Sequence, residues 1–91
     1  MYELLKNINL LYVVDEEDMR EFLETVLNKK VKNLYVGVDG NDGLELYKKH
    51  KPDIILTDVR MPKMNGIEMA KKIREYDSEI PIIILSAHSE T

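Results

Sequence analysis

The sequence predicts an open α/β domain built on a parallel sheet, and three observations lead to this fold class. Four β-rich runs alternate with three stretches of helical periodicity, in the order βαβαβαβ. The runs at residues 8–14, 54–56 and 82–85 are apolar on both faces, which is typical of strands covered by helices on each side. The links are short, so we expect right-handed crossovers within one sheet.

Length and composition indicate one small domain, which we assign to residues 1–91. Thirteen basic against 17 acidic residues give a net charge of −4, which provides no basic surface for direct nucleic-acid binding. The chain has no cysteine, so disulfides and cysteine-ligated zinc are excluded. It has no run of membrane-spanning length and no signal-peptide pattern at its start. We therefore expect a cytoplasmic protein that does not contact membranes.

The first strand, Ile8 to Val14, is apolar at nearly every position, which predicts a central strand. An acidic run, residues 15–18, ends this strand and opens the first helix. Acidic residues in the first turn, and Lys29 and Lys30 in the last, would match the helix dipole. The apolar residues of this helix follow the i, i+3, i+4, i+7, i+8 spacing of one helix face: Met19, Phe22, Leu23, Val26 and Leu27.

The second strand is predicted at Leu34–Val38, and the Asp39-Gly40 turn signal precedes a helix at residues 41–50. Pro52 ends that helix and precedes the third strand. The third strand ends at Asp58, and a turn segment containing Pro62 then leads into the third helix.

The third helix is predicted at residues 65–76, with Ile67, Ala70 and Ile73 buried. Pro81 introduces the fourth strand, Ile82–Leu85, which is followed by Ser86.

Asp58 is the main candidate functional residue because it lies where a buried strand leaves the core. Ligands of open α/β sheets bind at this carboxyl-terminal edge. If the first and third strands are neighbours, Asp15 lies beside Asp58 at a spacing of about 4.8 Å between strands, and the two carboxylates can share one Mg²⁺ ion. A fourth strand beside the third brings Ser86 to the same edge. The plainer interpretation of Asp58 is a solvated carboxylate that begins a loop.

Four segments together resemble the receiver domain of bacterial response regulators in two-component signalling: VVDEED, the DG after the second strand, PDIILTDVRMPKMNG and PIIILSAH. The resemblance implies a CheY-like, flavodoxin-like doubly wound sheet with strand order 2-1-3-4. It covers the first four of the five βα units of the family, so we expect the fifth strand and the last two helices to be lacking.

By this resemblance Asp58 is a phosphoacceptor that takes a phosphoryl group from a histidine kinase, and the domain is a signalling module and not an enzyme. Asp15, Asp58 and the backbone carbonyl of Arg60 would bind Mg²⁺. Ser86 matches the hydroxyl residue that moves toward the phosphoryl group and reports phosphorylation. A downstream effector domain is a further possible partner.

The sequence departs from the family pattern in two places. Val14 stands where the family usually has the first acid of a pair, and Glu16 is the remaining candidate for a second acid. The lysine that the family carries after its fifth strand would follow Thr91. We therefore expect phosphorylation of these 91 residues to be slow or absent. We also expect homo-oligomers or domain swapping through the exposed fourth strand.

Two alternative functions remain open on the sequence. One is a degenerate receiver that binds partners, or itself, without phosphorylation. The other is a phosphatase of the haloacid-dehalogenase type, which also uses an aspartate after a strand but requires a DxD pair, and Arg60 occupies the second position here. Binding of Mg²⁺ separates the first alternative from a phosphoacceptor, and turnover of a phosphomonoester would support the second.

Overall fold

Four parallel strands alternate with three helices in residues 5–85, the part of the chain that the computed structural model describes. The elements are β1 (Asn9–Val13), α1 (Glu17–Leu27), β2 (Asn33–Gly37), α2 (Gly40–His50), β3 (Ile54–Asp58), α3 (Gly66–Tyr76) and β4 (Ile82–Leu85). The sheet order is β2-β1-β3-β4, which confirms the predicted order. The switch point of the sheet, where such folds bind ligands, therefore lies between β1 and β3.

The core forms where the sheet packs against α2 and α3. β1 has a partner strand on each side, and residues 10–13 are buried, as expected for a central strand. From β3, Ile55 is completely buried, and Tyr47 of α2 reaches the same cluster. The full cluster consists of Leu11, Val13, Tyr47, Ile55, Met69, Ile73 and Ile80.

The buried face of α3 differs from the predicted one. Met69 and Ile73 have no exposed surface, whereas Ile67, which we predicted to be buried, is 44% exposed. Residues four apart share a helix face and residues two apart do not, so the packing of Met69 on the core turns Ile67 toward solvent. Ala70 is half-buried, and Ile73 is the member of the predicted set that is fully buried.

The helix α1 forms as predicted, but it contributes no buried residue. Phe22 is 61% exposed, and only Leu23 and Leu27 of the apolar face are half-buried. The prediction that Lys29 and Lys30 occupy its last turn is wrong. The helix ends at Leu27, whose carbonyl oxygen accepts hydrogen bonds from the N–H groups of residues 30 and 31 in a closing turn.

Side-chain caps fix the starts of α2 and α3. The Asp39 carboxylate accepts a hydrogen bond of 2.8 Å from the Asp42 N–H, so α2 begins at Gly40, one residue before the predicted start. Asn65 and Glu68 form a capping box at the start of α3. Each helix of residues 5–85 has 11 residues, and none has the length and apolar character needed to cross a membrane.

Candidate functional site

Asp58 is the last residue of β3 and lies half-buried at the carboxyl edge of the sheet. Val13 of β1 pairs with Thr57, so Val14 and Asp15 follow on β1 where Asp58 follows on β3. Asp15 is exposed in the link that leads from β1 to α1. The parallel pairing of β1 and β3 therefore brings the two predicted aspartates to the same edge.

The carboxylates of this edge influence the pKa of Asp58. Burial raises the pKa of Asp58 above its ordinary value of 3.8, and the negative charges of Asp15 and Glu16 raise it further. Burial likewise raises the pKa of Tyr12 on β1, with a smaller contribution from the Asp58 charge. The edge thus carries three acidic side chains, of which Asp58 is half-buried and Asp15 and Glu16 are exposed.

Sequence reasoning missed Arg20, which holds the link between β1 and α1. Its guanidinium donates hydrogen bonds to the carbonyl oxygens of Val14 (3.1 Å) and Asp15 (2.6 Å). The only signal in the sequence is that a single arginine follows the acidic residues in the first turn of α1. Because the guanidinium binds backbone oxygens, Arg20 orders the segment that carries Asp15.

The donor set of the edge fits a hard cation such as Mg²⁺. Asp15 and Asp58 offer carboxylate oxygens, which are the ligands that Mg²⁺ prefers. A cation would also relieve the mutual repulsion that raises the pKa of Asp58. Among the described residues, however, no three Asp, Glu, His or Cys side chains converge as a metal-binding group. The backbone carbonyl of Arg60 stays the predicted third protein ligand.

Val14 provides no side-chain oxygen to the edge. Its side chain is only 1% exposed, and its N–H donates to the carbonyl oxygen of Gly37 at 3.1 Å, which extends the pairing of β1 with β2. A buried valine cannot bind a cation or its waters. Glu16, the alternative second acid, is exposed and acts on Asp58 through its charge.

The link between β3 and α3 carries Arg60 and folds back onto the end of β3. The Gly66 N–H donates to the carbonyl oxygen of Val59 at 2.9 Å, which closes the loop. A Cβ atom at Gly66 would collide with the carbonyl oxygen of Asp58 and lie 3.1 Å from the Thr57 hydroxyl oxygen. Only glycine allows α3 to begin this close to Asp58.

Ser86, the predicted switch residue, lies outside the described residues. Its neighbour Leu85 pairs with Asp58 in the β3–β4 ladder. The placement of Ser86 beside Asp58 stays a prediction.

Comparison with known proteins gives concordant results. Residues 10–91 match the model of the response regulator receiver domain family. The chain is 40% identical over 82 residues to the response regulator ArlR of Staphylococcus aureus, an alignment covering 90% of this chain and 37% of that protein. The chain thus spans little more than a third of the length of the curated relatives it matches.

Solved structures show the same similarity. The receiver domain of the Francisella response regulator 1452 has a TM-score of 0.82 at 30% identity, covering 93% of this chain and 70% of that one. The chemotaxis response regulator CheY4 of Vibrio cholerae has a TM-score of 0.83 at 27% identity, covering 92% and 72%.

We expect Asp58→Asn to raise the free energy of unfolding at pH values above the raised pKa of Asp58, by up to about 1 kcal/mol because half-exposed charges interact weakly. The raised pKa means that ionised Asp58 costs the folded state stability at neutral pH. As pH falls through this pKa toward 3.8, the wild-type carboxyl becomes neutral and the advantage of the variant disappears. Urea unfolding followed by circular dichroism at several pH values measures the difference.

The matched control is Glu45→Gln, which removes one exposed carboxylate from α2. It should shift stability little and without this pH profile. If Asp58→Asn were less stable than wild type at pH 7, repulsion among the three acids would be the wrong account of the site.

Proposed function

Because the chain belongs to the response regulator receiver domain family of two-component signalling, we propose that Asp58 accepts a phosphoryl group from a histidine kinase. The observation that carries this proposal is the placement of Asp58 at the sheet switch point, beside the charges of Asp15 and Glu16. A carboxylate kept at this edge against repulsion costs stability, which supports a chemical role for it.

In the proposed reaction a carboxylate oxygen of Asp58 attacks the phosphorus atom of the donor. The new oxygen–phosphorus bond forms while the bond to the leaving nitrogen of the kinase histidine breaks, and that nitrogen keeps the electron pair. The half-buried position leaves one side of Asp58 open to a donor. The covalent chemistry thus needs one nucleophilic residue of this chain.

We further propose that Asp15, Asp58 and the backbone carbonyl of Arg60 bind Mg²⁺, with Glu16 as the alternative acid. When bound, the ion supplies positive charge next to the phosphoryl oxygens. Arg20 orders the Asp15 segment through its bonds to two backbone carbonyl oxygens, and Gly66 lets the loop of Arg60 close over the end of β3.

The remaining parts of the proposal follow from family membership. Ser86 would contact the phosphoryl group and report its presence, and an effector domain would receive the signal. We place the protein in the cytoplasm as a signalling module and not an enzyme, with no direct contact to nucleic acid or membrane.

A degenerate receiver that binds partners without phosphorylation is the second candidate, and the buried Val14 in place of an acid favours it.

Incubation of the 91-residue chain with Mg²⁺ and a small phosphodonor should add one phosphoryl group, slowly, to the wild type and none to Asp58→Asn. The amide cannot act as the nucleophile but has nearly the same shape. Intact-mass spectrometry over a long time course measures the gain.

Equal gain by both proteins would mean that another residue is the acceptor. No gain by a wild type that also fails to bind Mg²⁺ would favour the degenerate receiver.

Val14→Asp should tighten Mg²⁺ binding on the order of tenfold, because it restores an acid beside the cation. Without metal the variant should be less stable than wild type, since it buries a carboxylate at a site that is 1% exposed. Calorimetric titration and thermal unfolding with and without Mg²⁺ measure both effects. Val14→Asn is the control: it buries a neutral polar group of the same size and should gain no affinity.

We also propose that the 91-residue chain self-associates through β4. Ile83, Ile84 and Leu85 are 44%, 39% and 39% exposed, and β4 is an edge strand of the described sheet. An apolar edge with unpaired backbone groups favours pairing with the same edge of a second copy.

Ile83→Lys should therefore shift the chain toward monomer, because a lysine on an edge strand opposes strand pairing. Ile67→Lys is a matched control, since Ile67 has the same 44% exposure but lies on α3. Sedimentation velocity over a range of concentrations compares the two. An identical response to both substitutions, or a wild type that is monomeric throughout, would remove β4 as the interface.

A further inference from the structure

We propose that Gly40, the first residue of α2, is a positioning residue for the cation site: its N–H latches the β3–α3 loop so that the Arg60 carbonyl can serve as a ligand. The inference rests on the proposed function, because it concerns the Mg²⁺ site built on Asp58. Gly40 carries no functional side chain, so its role depends on its backbone alone.

The latch is a hydrogen bond of 3.1 Å from the Gly40 N–H to the carbonyl oxygen of Met64. The first N–H groups of a helix have no partner within the helix, so the loop carbonyl satisfies a donor of α2 while α2 holds the loop. The contact also excludes any side chain at Gly40. A Cβ atom there would collide with the Met64 carbonyl oxygen and lie 2.8 Å from two further atoms of Met64.

The helix end that holds the loop is itself rigidly built. The Asp39 carboxylate is only 9% exposed and accepts from the Asp42 N–H, while the Asp42 carboxylate accepts from the Val38 N–H at 3.0 Å. The Gly43 N–H donates to the Asp39 carbonyl oxygen at 2.8 Å. The hydrogen bonds of the Asp39 and Asp42 carboxylates thus hold the turn from which the Gly40 N–H points to the loop.

Further contacts hold the rest of the β3–α3 loop in place. Gly66 closes it onto Val59, and the Met64 N–H donates to the Pro62 carbonyl oxygen at 2.7 Å across Lys63, which has a positive φ of 70°. The side chains of Met61 and Met64 pack against the core cluster. Arg60 therefore lies between Val59, which accepts the Gly66 hydrogen bond, and Met61, which packs on the core. A loop pushed away from α2 at Met64 therefore changes the position that the Arg60 carbonyl can take.

The test compares Gly40→Ala with Gly43→Ala in the 91-residue chain. Both change glycine to alanine in α2, but a Cβ at Gly43 would press on core side chains, at 2.6 Å from the Met69 sulfur and 2.7 Å from a Val13 methyl carbon. Both variants should lower the midpoint of thermal unfolding. Only Gly40→Ala should weaken Mg²⁺ binding by calorimetric titration, by about 10- to 100-fold, the usual effect of disturbing a residue behind a metal ligand.

A second measurement uses the wild type and needs no variant to fold. If the ion binds the latched loop 10- to 100-fold more tightly than the unlatched loop, it must stabilise the latch by the same coupling free energy. Exchange of the Gly40 amide hydrogen should then slow by about 10- to 50-fold at a Mg²⁺ concentration of 100 times Kd. The Gly43 amide, bonded within α2, should slow much less.

The outcomes separate the inference from the function on which it rests. Unchanged affinity in folded Gly40→Ala, or equal slowing of the Gly40 and Gly43 amides, overturns the latch and leaves the Mg²⁺ site intact. Absence of Mg²⁺ binding in the wild type overturns the metal part of the proposed function together with the latch. Loss of affinity in Gly40→Ala alone, with selective slowing of its amide, supports the latch.

Discussion

The pairing of β1 with both β2 and β3 is the constraint on which the rest of the structure depends. Because β1 is central, its residues must be apolar on both faces, and its end must lie beside the end of β3. This pairing places Asp15 and Asp58 at one edge of the sheet. The site is therefore a consequence of strand order, and no long loop is needed to assemble it.

At the carboxyl edge of the sheet, acidic side chains repel one another electrostatically. Hydrogen bonds to the backbone hold the segments that carry them. Asp58 is raised in free energy by burial and by two neighbouring carboxylates. Arg20 on one side, and Gly40 and Gly66 on the other, fix the segments that lead away from the strands. Such an edge is ordered before any ligand binds, so little conformational entropy remains to be lost on binding. The cost appears as electrostatic strain in the free protein.

Much of the fold and part of the site could be predicted from the sequence. Strand order followed from the family resemblance, and the ends of the apolar runs located Asp15 and Asp58. The buried face of α3 could not be predicted from periodicity, because Ile67 and Met69 both suit an apolar stripe and only packing selects Met69. The Gly40 contact also escaped prediction, since a backbone hydrogen bond across a loop leaves no residue-type signal.

The weak attachment of α1 has a consequence for how the domain opens. No side chain of α1 is fully buried, so this helix contributes less to cooperative stability than α2 or α3. Arg20 nevertheless binds the Val14 and Asp15 carbonyl oxygens from within α1. Local unfolding of α1 would free the Asp15 segment while the rest of the sheet stays paired. One half of the acidic edge thus depends on a helix without a buried side chain, whereas Asp58 ends a strand that contains the fully buried Ile55 and Thr57.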